Sequence, residues 1–192
     1  MTKLQRIIAS ISVFFFGAKM SGQSLAPFQT LQFCVQIVEP AQAKSLNGYW
    51  DPERGLEAMI STPFYWGEIY VGGQIKSYSG TDPSYPNFES LYPFLGWGVS
   101  FPLPFQVRLH PRFNIGINRM EFDTLTGYQR TESEVGLTLL IEFSRLLTPS
   151  LTLRGSIRRE TIFTYERIHL LQYTVGLGYT IQTPRGIKKL LE

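Results

Sequence analysis

From residue 31 to residue 181 apolar and polar side chains alternate with period two, segment after segment. A chain patterned this way folds into β-strands with two unlike faces. The clearest case places Leu171, Tyr173, Val175, Leu177, Tyr179 and Ile181 on one face against Gln172, Thr174, Gly176, Gly178 and Thr180. Residues 105–117 do the same, with Phe105, Val107, Leu109, Pro111, Phe113, Ile115 and Ile117 opposed to Gln106, Arg108, His110, Arg112, Asn114 and Gly116. Val135, Leu137, Leu139, Ile141 and Phe143 oppose Glu134, Gly136, Thr138, Glu142 and Ser144, with Leu140 out of pattern. Leu151, Leu153 and Ile157 oppose Thr152, Arg154, Ser156 and Arg158. Segments 56–61, 68–76 and 92–101 are less regular, and 31–38 is an eighth candidate.

The connections alternate too. Short ones at 62–66, 102–104 and 148–150 take turns with polar and mostly longer ones at 39–54, 79–88 and 123–132, followed by a brief 165–167. A meander with short turns at one end and long loops at the other is the pattern of an outer-membrane barrel. Within hydrocarbon every backbone group must be paired, so such strands have to close on themselves. Eight is an even number and puts both termini on the periplasmic side.

The N-terminus supplies a route there. Lys3 and Arg6 precede an 11-residue apolar run, 7–17, and then small residues at 21–26. This is the build of a secretory signal, too short to cross a bilayer as a helix, with cleavage expected between 22 and 26. No run of 18 apolar residues occurs, so a helical membrane protein is excluded. The single cysteine, Cys34, excludes an internal disulfide framework, and a net charge of +3, dispersed along the chain, does not suit a nucleic-acid partner.

On these grounds residues 28–182 resemble the small eight-stranded outer-membrane barrels, the class with OmpA-type and OmpX-type domains. The resemblance implies an all-β, antiparallel, up-and-down transmembrane barrel in the outer membrane of a Gram-negative-type bacterium. It assigns no subfamily. Such barrels often end on an aromatic residue. Here Tyr179 lies near the last strand's end, and the chain continues through Pro184 into 185–192, a basic stretch with helical spacing of Ile187, Leu190 and Leu191. The expected division is a signal at 1–26, a barrel at 27–182 and a periplasmic tail at 183–192.

In that frame the apolar faces meet lipid and the polar faces fill the lumen. A charge facing midplane lipid costs about 2–4 kcal/mol, so the charged residues decide the orientation. The lumen receives Lys76, Arg108, Arg112, Arg154 and Arg158, balanced by Glu57, Glu68, Glu134, Glu142 and Glu160, beside His110. Arg119, Arg145 and Arg159 fall on the lipid side, each near a strand end where its guanidinium reaches headgroups. Phe64, Tyr65, Trp66, Phe101, Phe105, Phe143 and Tyr179 are expected as the periplasmic aromatic girdle, with Tyr49, Trp50, Phe88, Phe122 and Phe163 at the outer edge. Glycines 72, 73, 96, 98, 176 and 178 read as relief of crowding in a narrow barrel, Pro93 as lying above the membrane, and Pro111 as marking a bulge.

Eight strands enclose a space that side chains just fill. The reading is therefore a barrel with a closed, charge-filled lumen and no substantial pore. Its role is structural, or one of interaction through the extracellular loops or the tail. The expected surroundings are outer-membrane lipid, the expected state a monomer, and no cofactor, metal or catalytic residue is assigned. Two rivals stay open. One is an exported soluble lipocalin-like barrel with an apolar interior for a hydrophobic ligand. The other is a lipid-modifying outer-membrane enzyme, for which neither His110 nor His169 has an assignable serine or carboxylate partner in the sequence.

Overall fold

The computed structural model describes residues 27–42, 46, 48–123, 131–165 and 167–191. The expected signal segment and parts of the loops at 43–47 and 124–130 lie outside the described residues. Among the described residues ten strands and one helix follow in order: β1 (Thr30–Gln42), β2 (Trp50–Pro52), β3 (Gly55–Phe64), β4 (Gly67–Gly80), β5 (Phe88–Gly98), β6 (Phe101–Pro102), β7 (Val107–Phe122), β8 (Thr131–Leu146), β9 (Leu151–Ile162), β10 (Ile168–Gln182) and α1 (Arg185–Leu191).

Eight of the strands close into an antiparallel barrel. Each pairs with its neighbour in sequence, and β1 pairs with β10 from Thr30 opposite Gln182 to Gln42 opposite Leu171. The segment 31–38 is thus a full wall strand. The two extra strands are pieces of their neighbours. β2 continues the line of β3 along β4 after a break at Glu53 and Arg54, where the Glu53 amide donates to Ser77 O at 2.9 Å. β6 continues β5 along β7. Wall strands of 10 to 16 residues are long enough to cross a bilayer when tilted.

The strands outrun their expected bounds at the loop end, so the connection written as 39–54 shrinks to 43–49 before β2. At the other end β7 starts at Val107, and Phe105 and Gln106 instead form a tight turn with φ of 60° and 59°. The prolines also correct the expectation. Pro93 sits midway along β5, opposite Gly73, and the ladder to β7 lapses beside it. Pro111 makes no bulge: the β7–β8 ladder runs unshifted from Val107 to Glu121. The interruption falls in the other neighbour. Val99 donates to Pro111 O at 3.2 Å, proline has no N–H to return, and β5 breaks before β6 resumes.

The outer face is apolar and open: Val35, Val71, Leu139 and Val175 are 54%, 56%, 58% and 60% exposed. The inner face is polar and buried. That arrangement is the inverse of what a lipocalin-like ligand carrier requires. Two glycines show how narrow the interior is. A Cβ on Gly136 would meet the Tyr92 ring at 2.7 Å, and one on Gly96 would strike the Tyr70 ring. Gly73 departs from the expectation, because it lies on the outward register and a Cβ there would meet nothing closer than Tyr92 O at 4.0 Å.

Candidate functional site: the barrel interior

Strand pleating sends every second side chain inward, and on most strands the inward ones are even-numbered. They stack in two layers. The lower and middle layer is ionic. Lys76 Nζ lies 2.7 Å from Glu160 Oε2, a carboxylate that also accepts from Asn118 Nδ2 at 3.1 Å and Gln172 Nε2 at 2.9 Å. Arg158 grips Glu57 with both terminal nitrogens, Nη2 donating to Oε1 at 3.1 Å. Arg154 donates to Glu142 Oε1 from Nε at 2.7 Å, with Nη2 at 2.6 Å. Arg112 Nη2 lies 2.6 Å from Glu68 and 3.5 Å from Glu142, and its guanidinium sits 4.8 Å above the Tyr70 ring. Lys76–Glu160, Arg158–Glu57 and Arg112–Glu68 join non-adjacent strands and tie distant parts of the wall together, whereas Arg154 and Glu142 sit on the neighbouring strands β9 and β8.

Four cations, Lys76, Arg112, Arg154 and Arg158, thus meet four carboxylates, Glu57, Glu68, Glu142 and Glu160. All are buried except Glu68, whose side chain keeps 19% of its surface. Removing ions from water is repaid only by such close, multiply hydrogen-bonded geometry. Amide and hydroxyl groups join them. Gln36 donates to Glu142 at 3.5 Å, and Gln74 to Gln172 at 3.3 Å.

The remaining expected members lie at the rims. Arg108 has the inward register but is exposed, one step above the turn, where the barrel opens. Glu134 is half-buried near the loop end, and no ion pair reaches it among the described residues. His110 does acquire a serine: its Nε2 lies 2.7 Å from Ser144 Oγ, both buried. Its Nδ1, however, has no hydrogen-bond partner among the described residues, so no carboxylate orients the ring as a catalytic triad requires.

Above the ions lies an apolar layer that includes three aromatic residues, Trp50, Phe88 and Phe122, expected from the sequence at the outer edge. Leu46, Tyr78, Phe88, Met120, Ile162 and Leu170 form a buried cluster, with Trp50, Phe122 and Ile168 packed on it. Phe88 stacks on Tyr78 with ring centroids 4.3 Å apart. Trp50, Phe88 and Phe122 therefore do not stand at the outer lipid edge. Their parity could have shown this, since Phe88 and Phe122 share the even register of Ser90 and Asn118. Leu46 had no such signal, because it comes from the loop. Tyr49 and Phe163 are exposed, at 49% and 41%.

At the turn end, Tyr65, Trp66, Phe105, Phe143 and Tyr179 are exposed on the outside, whereas Phe64 and Phe101 are half-buried. Trp66 and Trp97 make an edge contact at 4.6 Å, and Phe64 packs on Tyr65 at the same distance. The helix α1 follows β10 directly; the Thr183 amide donates to Gln29 O at 3.0 Å and fixes its start beside the first strand. Among the described residues no group of His, Cys, Asp and Glu is placed to hold a metal.

No protein-family model matches the chain, and no curated protein matches it by sequence. Solved structures do match. Neisserial surface protein A is 15% identical with a TM-score of 0.51, over 80% of this chain and 96% of that one. Ail, the attachment invasion locus protein of Yersinia pestis, solved with the heparin analogue sucrose octasulfate, is 12% identical with a TM-score of 0.51, over 80% and 99%. The outer membrane protein OprG from Pseudomonas aeruginosa is 11% identical with a TM-score of 0.52, over 81% and 97%. At these identities the likeness is one of fold. With its closed wall, outward apolar face and turn–loop asymmetry, the chain has the architecture of the small eight-stranded outer-membrane β-barrels.

Proposed function

We propose that this protein is an exported outer-membrane barrel that is sealed to ions and serves as a scaffold for its extracellular loops. The observation that carries the reading is the filled interior: four buried ion pairs below, three of them crossing between non-adjacent strands, and an apolar layer with Leu46 folded into it above. An ion entering from outside would have to displace packed aromatic rings, and one entering from below would have to break buried pairs. The outward apolar face then meets lipid, with the aromatic residues at the turn end acting as its periplasmic girdle.

The loops are built to present a fixed surface. The Trp50 indole donates to Pro86 O at 2.7 Å, Tyr49 packs edge-on to Tyr85 at 5.1 Å, and the Thr81 amide donates to Tyr49 O at 2.9 Å. Tyr49 and Trp50 are thereby locked to the loop 81–87 with Tyr49 still half open, the arrangement expected of a preorganised contact surface. The polyanion bound by Ail does not transfer, because the adjoining rim carries Glu53, Glu89, Glu121 and Asp123 around a recess of about 600 Å³.

The test has two arms. Cell fractionation and heat-modifiable gel mobility are expected to place the full chain in the outer membrane as a folded barrel, and recovery from the soluble periplasm would refute that. Purified protein in planar bilayers is expected to give no steady channel, and a large, stable unitary conductance would refute the seal.

A further inference from the structure

Arg159 projects from β9 onto the outer wall, three residues short of the loop end, and is exposed. Its cross-strand neighbours are Leu139 on β8 and Leu171 on β10. No ion pair reaches it among the described residues. One rung further out on the same face, Thr161 Oγ1 and His169 Nδ1 lie 3.1 Å apart. Above them the Arg167 guanidinium lies 5.9 Å from the ring of Phe163, which is itself 41% exposed. Among the described residues, the outward carboxylate of Glu39, opposite Tyr173, is held by Arg54 at 2.7 Å. The far side of the same rim is acidic, with Glu53, Glu89, Glu121 and Asp123.

Two guanidiniums, an imidazole and a hydroxyl therefore face outward on one hairpin, at the boundary between an apolar wall and the loops. Their chemistry suits a phosphate whose attached chains lie along the wall. Arginine binds phosphate through paired N–H donors, and the apolar residues below, Ile157, Leu139 and Val175, would accept acyl chains. The acidic residues on the far side of the rim disfavour such a ligand there.

We propose that the outer wall of the β9–β10 hairpin is a binding site for a phosphorylated glycolipid of the outer leaflet, held by Arg159 and Arg167 with Thr161 and His169 beside them. The proposal rests on the outer-membrane reading. The full chain, folded in mild detergent with its fold verified by gel mobility, would be analysed by native mass spectrometry with a synthetic bis-phosphorylated, acylated diglucosamine and with the same glycolipid lacking phosphates. Retention of the phosphorylated form is expected to exceed that of the phosphate-free form on the order of tenfold, the effect of losing a charged hydrogen-bonded contact. Arg159→Gln combined with Arg167→Gln is expected to abolish the difference, Arg159→Lys to keep part of it, and Arg145→Gln at the turn end to leave it unchanged. Millimolar inorganic phosphate is expected not to displace the lipid. Equal retention of both glycolipids, full retention by the double variant, or displacement by phosphate alone would overturn the proposal while leaving the folded barrel intact. Failure of the unmodified chain to form a heat-modifiable barrel would instead refute the reading beneath it.

Discussion

Replacing Lys76 by methionine removes the cation from a carboxylate with no exposed surface of its own. Glu160 is 0% exposed and keeps only the Asn118 and Gln172 amides, at 3.1 Å and 2.9 Å, once Nζ at 2.7 Å is gone. Breaking a buried pair by deleting one partner costs about 3–5 kcal/mol, because the other charge is left without compensation. Glu160→Gln strands Lys76 in the same way, with Tyr78, whose ring centroid lies 5.9 Å from Nζ, left beside it. The double variant leaves neither charge and is expected within about 1 kcal/mol of the parent, since a neutral pair of similar shape does not need the ion pair. The double-mutant cycle should therefore show strongly non-additive coupling. Urea titration in phospholipid vesicles, followed by gel mobility, measures all four stabilities. Raising the salt concentration should change little, because buried pairs are poorly screened. Single variants within about 0.5 kcal/mol of the parent and additive in combination would show that water fills the interior and that the pairing is inconsequential.

Phe88→Ala empties the centre of the apolar layer, where the ring touches Tyr78, Trp50 and Phe122; a loss of about 3–5 kcal/mol is expected in the same titration. Val71→Arg puts a charge on the open wall between Ile60 and Leu95 and should cost about 2–4 kcal/mol in vesicles. In the loop at 81–87, hydrogen bonds from the Ser84 amide and hydroxyl hold the Asp82 carboxyl below the ordinary 3.8. The order they lend is present above that value and lost as pH falls through the lowered one; Ser84→Ala should move the Asp82 titration, followed by NMR, back toward 3.8. Ending the chain at Gln182 removes α1 and tests the tail: assembly yield and pull-down partners are expected to change, and identical ones would remove it from any role.

The wall was legible because one physical rule governs it throughout. Where lipid takes one face and the interior the other, alternation is enforced residue by residue, and Glu57, Lys76, Arg112, Glu142, Arg154, Arg158 and Glu160 could all be assigned to the interior from parity alone. Partners were not legible. Arg112 meets Glu68 and Arg158 meets Glu57 across the barrel, and the stagger that brings them together depends on every register between. The apolar layer was misread because aromatic residues near strand ends suit both headgroups and a plug. Phe88 and Phe122 follow the inward parity, and the loop residue Leu46 completes the cluster through a contact that no periodicity encodes. The prolines misled for a related reason: the missing donor of Pro111 disturbs whichever neighbour its nitrogen faces, and the sequence does not name that neighbour.

The central claim is that the apolar face of this barrel lies against lipid. Spin labels placed one at a time at Val135, Leu137, Leu139, Ile141 and Phe143 along β8, in a Cys34→Ser background reconstituted into phospholipid vesicles, test it directly. High collision rates with oxygen and low rates with a water-soluble nickel chelate are expected, with the contrast greatest at Leu139 and falling toward both strand ends. Uniform, high accessibility to the nickel chelate along the strand would contradict it.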